Sequence, residues 1–99
     1  MPALPPIANL QAFEAVARRR SFALAAAELH LTASAISHQV SRLESHLGVR
    51  LFERSAHGVR LSPAGEHYRL HVGAALSAIS SATDDLKQGI RNSLYVHSA

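Results

Sequence analysis

Six polar side chains fall where a helix would gather them on one side: Ser34, Ser37, His38, Ser41, Arg42 and Ser45. At about 100° per residue, Ile36, Val40, Leu43 and Leu47 collect opposite them within roughly 60°, so the stretch from Thr32 to Leu47 reads as a helix with one buried stripe. A helix face that only meets water usually carries Glu and Lys, whereas here one residue of the six is a permanent charge. Short hydroxyls let a backbone approach a partner closely while still offering donors and acceptors, which suits reading base edges in a DNA major groove. Catalytic readings fare worse. Ser37 and His38 are sequence neighbours and point apart, and no Gly-x-Ser-x-Gly turn exposes a nucleophile. His67 and His71 have the i, i+4 spacing of a two-histidine metal site, but no third ligand follows, and Glu66 precedes the pair where a metalloprotease motif needs it between them. A surface histidine pair is the plainer reading, and the chain is expected to be no enzyme and to hold no metal.

The totals bound what can position that face. A chain of 99 residues builds one small core, too little for a large ligand pocket. Seven Arg face four acids over residues 1–61, while residues 62–99 are balanced, so the formal charge of +3 sits in the first part. Nine of the ten basic residues are Arg, whose planar fork grips phosphate and guanine edges, and this favours a polyanion partner. There is no cysteine, hence no disulfide and no thiolate metal site. The opening Met-Pro-Ala-Leu-Pro-Pro lacks the pattern of a signal peptide, and no window has the length of a membrane span, so a cytoplasmic protein is expected.

In chain order, residues 1–8 read as a leader ordered only where Ile7 tucks against the core. Asn9 is expected to cap a first helix built on Leu10, Phe13, Val16 and Ala17 and ending at Arg18-Arg19-Arg20. Three Arg at a helix C-terminus suit the dipole, and equally they could reach a phosphate backbone. Ser21 caps a short second helix with Phe22, Ala25, Ala26 and Leu29. Only His30 and Leu31 then precede the cap Thr32, so the second helix and the serine-rich one form a helix-turn-helix, with Leu31 plugging its centre. Gly48 closes the recognition helix. The segments 49–54 and 59–61, joined by a Gly-bearing turn, read as a β-hairpin wing that packs Leu51, Phe52 and Leu61 inward and offers Arg54, His57 or Arg60 to an adjacent minor groove. Ser62-Pro63 starts a long helix in which Tyr68, Val72, Ala75, Leu76, Ile79, Ala82 and Leu86 make a coiled-coil seam for pairing with a second copy. After Gly89, Leu94-Tyr95-Val96-His97 is strand-like. The fold expected is mainly α: a winged helix-turn-helix over residues 1–61 and a linker or dimerisation helix over residues 62–90. Residues 91–99 would be the start of a further domain or a disordered tail.

These residues together resemble the DNA-binding half of LysR-type transcriptional regulators. The blocks that carry the likeness are Leu10-Gln11-Ala12-Phe13-Glu14-Ala15-Val16-Ala17, Ser21-Phe22 with Ala25-Ala26 and Glu28-Leu29, Ser34-Ala35-Ile36-Ser37-His38-Gln39-Val40, Leu47-Gly48-Val49, Leu51-Phe52-Glu53-Arg54 and Leu61-Ser62-Pro63-Ala64-Gly65. The phrase Leu4-Pro5-Pro6 and the approach to the wing most resemble the glycine-cleavage-activator-like branch. The resemblance implies a fragment of a full regulator whose absent C-terminal domain would bind a small-molecule effector, leaving no cofactor in this chain. It also implies a homodimer on double-stranded operator DNA, with a tetramer open to the full-length protein and no membrane partner. Base-reading positions would be Ala33, Ser34, Ser37 and His38. Phosphate or backbone contacts would come from Arg18, Arg19, Arg20, Ser21, Thr32, Gln39 and Arg42. Ala33 and His38 replace the Gln and Arg common in relatives and so remove two bidentate readers, though Ala33 can still touch a thymine methyl. The rival reading is a helical interaction or dimerisation module without DNA reading; such a face should carry apolar anchors near its centre, and this one does not.

Overall fold

The computed structural model describes the backbone of residues 3–96 and the side chains of residues 3–90. Three helices come first: α1 (Ile7–Arg19), α2 (Phe22–Leu29) and α3 (Ala33–Leu47). A hairpin of β1 (Phe52–Ser55) and β2 (Gly58–Leu61) follows, and then one long helix, α4 (Pro63–Val96). Local chemistry sets most of these boundaries. Ser21 Oγ accepts from Leu24 N and Thr32 Oγ1 from Ala35 N, so each of α2 and α3 starts on a side-chain cap. Gly48, at φ 74°, closes α3 with its N–H on Glu44 O. Ser62 Oγ accepts from Gly65 N and donates to Arg50 O, which starts α4 and fastens it to the hairpin's entry.

The first helix departs from expectation at its start. Pro6 precedes it, its carbonyl accepting from Asn9 N and Leu10 N, and Asn9 lies inside the helix and buried rather than capping it. Proline's fixed φ lets the turn begin before the first side-chain cap appears. Ile7 does not tuck into the core and is 53% exposed. Leu31 is no central plug either, at 45% exposed. The turn ahead of it instead bends through His30, at φ 57°, with Leu31 N reaching back to Ala26 O, and this directs the Leu31 side chain outward.

Ala12, Phe13, Val16, Ala25, Ile36, Val40, Leu43 and Leu51 make the core, with alanines letting the three short helices approach closely. Phe13 is its hub, 5.5 Å from the Phe52 ring and 5.6 Å from Tyr68, so one aromatic ties α1 to both the hairpin and α4. In the hairpin, Phe52 pairs with Leu61, Glu53 with Arg60, Arg54 with Val59 and Ser55 with Gly58. At Gly65 the helix passes so near that a Cβ there would meet Leu51 O at 2.0 Å.

The long helix corrects two expectations. Tyr68 and Val72, assigned to an intermolecular seam, pack into the protomer's own core, with Leu76 packed against it; burial pushes the Tyr68 hydroxyl's pKa up. Their period is the same as a coiled-coil seam's because any helix burying one stripe shows it. Beyond them Ala75, Ile79, Ala82 and Leu86 are exposed. The helix then continues to Val96 through residues 94–96, where a strand was expected. A lone strand leaves its backbone unpaired, whereas a helix satisfies its own N–H and C=O groups. His97 lies outside the described residues.

Candidate nucleic-acid interface

The exposed side of α3 is built by the burial of its other side. With Ile36, Val40 and Leu43 in the core, helical geometry turns Ser34, His38, Ser41, Arg42 and Ser45 outward, and all five are exposed. Ala33 is exposed at the first turn, Thr32 is exposed just before it, and Ser37 and Gln39 are half-buried at the flanks. Thr32 and half-buried Ser21 have spent one acceptor each on their caps and keep their hydroxyl protons for a partner.

The arginines sort into two groups. Arg18 Nε donates to Glu14 at 3.0 Å, and its guanidinium also pairs with Glu28, which accepts from Arg19 Nε at 2.9 Å as well. Hydrogen bonds from Arg18, then Arg19, hold the Glu28 carboxyl down at about 2, and Glu28 with Glu14 keeps Arg18 still more firmly charged. Both guanidinium groups are thus paired with carboxylates within the fold, although each side chain is still 42% exposed. Arg20 is exposed in a left-handed conformation at φ 54°. Arg42 is exposed and has no acidic partner among the described residues.

Strand alternation divides the wing. Phe52 and Arg54 face the helices, and the Arg54 guanidinium lies 4.4 Å from the centre of the Phe22 ring, a cation–π contact. Glu53 and Arg60 share the other face and pair at 3.3 Å, so Arg60 is engaged in the fold too. His57 is exposed at the turn, with its N–H on Ser55 Oγ at 3.2 Å. Sequence reasoning missed Phe22 as the support of Arg54. The two are distant in sequence, and only the alternation that puts Arg54 on the face of buried Phe52 hinted at it. It also missed the part of Glu44, whose Oε2 accepts from Leu51 N at 2.7 Å and fixes where the hairpin begins relative to α3.

Elsewhere, the His67 and His71 rings stand 5.0 Å apart on the exposed side of α4, and among the described residues no group of three His, Cys, Asp or Glu could hold a metal. No helix of the described residues is long and apolar enough to cross a membrane.

Residues 7–66 match the family described as bacterial regulatory helix-turn-helix protein, lysR family. The chain is 40% identical over 84 residues to the glycine cleavage system transcriptional activator of Escherichia coli strain K12, covering 85% of this chain and 28% of that protein. It thus spans under a third of the length of that curated relative. Among solved structures it is similar to Corynebacterium glutamicum OxyR, with a TM-score of 0.80 and 32% identity over 87% of this chain and 28% of that one. It is also similar to the DNA-binding domain of BenM in complex with catB site 1 DNA, with a TM-score of 0.78 and 29% identity over 84% of this chain and 93% of that one. The family match runs from α1 through the start of α4, over more than half of the 99 residues, and the chain belongs to the LysR family of bacterial helix-turn-helix regulatory proteins.

Proposed function

We propose that this chain binds double-stranded DNA sequence-specifically as a homodimer, and that it is the DNA-reading part of a cytoplasmic, non-enzymatic LysR-type transcription regulator. The observation that carries the reading is the exposed face of α3, where hydroxyls, His38 and Arg42, which has no acidic partner among the described residues, stand together beside a hairpin arginine. Ser34, Ser37, His38 and Ala33 are placed for base edges, and Thr32, Ser21, Gln39, Arg20 and Arg42 for the backbone. That BenM's similar domain is found in complex with catB site 1 DNA supports a DNA partner for this chain. Exposed Ile79, Ala82 and Leu86 on α4 supply the seam for a second copy, which would set two readers on half-sites about one or more helical turns apart. A small-molecule effector and any tetramer contacts would belong to a C-terminal domain of the full regulator.

The test is binding of the purified chain to duplex DNA from around its own gene across a salt series, with dimer mass checked in the same buffer. Release of condensed counterions should cost roughly a thousandfold or more in affinity between about 50 and 200 mM salt. An intact dimer that binds without sequence preference and hardly responds to salt would overturn the reading in favour of a protein-interaction module.

A further inference from the structure

A cleft of about 610 Å³ separates α3 from the hairpin, bordered by Ser37 and Ser41 on one side and by Arg50 and Arg54 on the other. Its acids are already committed. Glu44 accepts from Leu51 N and, at 3.4 Å, from Phe52 N, and Glu53 pairs with Arg60. Its cations are not, because neither Arg50 nor Arg54 has an acidic partner among the described residues. Arg50 is exposed, yet its backbone is pinned: Ser62 Oγ donates to its carbonyl at 2.7 Å, and the next residue's N–H is held by Glu44 at 2.7 Å. The side chain thus leaves a fixed base at the mouth of a cleft where Glu53 is paired with Arg60 and two arginines without acidic partners among the described residues outweigh the one remaining carboxylate, Glu44.

The occupant follows from the shape of a duplex. Adjoining major and minor grooves share one sugar–phosphate strand as their common wall. With α3 in the major groove and the Arg54 hairpin at the neighbouring minor groove, that strand must run between them, through this cleft. We infer that Arg50 clamps a phosphate of that strand, with the Ser41 hydroxyl as a companion donor. The inference rests on the DNA-binding function proposed above. A planar guanidinium grips a phosphate through two parallel hydrogen bonds, and an anchored backbone reduces what is lost in ordering it. Such a contact holds the protein's register on DNA and is blind to sequence.

The test uses the 99-residue chain with two probes, a duplex recovered by the parent chain from a randomised pool and an unselected duplex of the same length. Arg50→Gln should weaken both by a similar factor, about tenfold, and lower the salt slope by about one per protomer. Arg50→Lys, which keeps the charge, should restore the slope, and unchanged melting of each variant shows that the fold is intact. Unchanged affinity and slope in Arg50→Gln, or a loss confined to the selected duplex, would overturn the clamp while leaving DNA binding standing, provided the parent binds with steep salt dependence. A parent that shows no such dependence would instead sink the DNA-binding function and the clamp with it.

Discussion

At the residue scale, the turn between α2 and α3 depends on a side chain in an unfavourable backbone conformation. His30 sits at φ 57°, a region that costs an L-residue about 1–2 kcal/mol and glycine almost nothing. Glycine's larger entropy loss on folding, about 0.5–1 kcal/mol, offsets part of the gain. His30→Gly should therefore stabilise the chain by about 0.5 kcal/mol and raise the melting temperature by roughly 2–4 °C, measured by circular dichroism. A lower melting temperature would mean that the imidazole contributes something that the exposed position does not suggest. The tight connection of only His30 and Leu31 before the cap Thr32 was legible, but the left-handed conformation it demands of His30 was not, because histidine gives no signal for it. The pairing of Arg18 and Arg19 was not legible. Glu28 lies ten and nine residues from them in sequence, and only the packing of α1 against α2 brings it between the two guanidinium groups.

That same cluster works at the scale of elements, because it joins the C-terminal end of α1 to that of α2. The Glu28 carboxyl is held at about 2 in the fold against an ordinary 4.5, mainly by Arg18. A group depressed on folding stabilises above its unfolded value and loses that contribution as pH falls through the folded one. The contribution should thus be full above about pH 4.5 and fade toward pH 2, modest in size because the cluster is largely in solvent. Acid titration of stability should show a shallower decline in this window for Glu28→Gln than for the parent, and parallel curves would show the cluster to be energetically idle. The elements themselves were readable wherever a cap governs them: Ser21, Thr32, Gly48 and Ser62 act on neighbours within a few residues. The start of α1 was not, because no side-chain cap marks it, and the reach of α4 to Val96 was not, because Leu94-Tyr95-Val96 by itself has strand-like composition. The hairpin's placement depends on Glu44, Ser62 and the close approach at Gly65, contacts between segments that sequence periodicity cannot display.

For the whole molecule, one helix packs into the core and, in the proposed dimer, also carries the seam, and periodicity alone could not divide the two tasks. Leu86 is 67% exposed and Val72 6%. Leu86→Asp should leave the melting of the winged domain unchanged while shifting the chain to monomer in sedimentation equilibrium. Val72→Asp, which buries a charge, should cost several kcal/mol and unfold it instead. A Leu86→Asp chain that stays dimeric would place the interface elsewhere. Since Tyr68, Val72 and Leu76 bond the base of α4 to the three-helix body, the 20 residues from there to Val96 project as a stiff arm about 30 Å long. Tilting that arm by about 6° moves its tip roughly 3 Å, and a push of the same size at the tip swings the whole reading head through the same angle. In the proposed dimer on DNA, whatever grips the distal end would therefore hold a lever on the spacing between two readers, and a small rearrangement there would be enough to bring them into or out of step with the turns of the double helix.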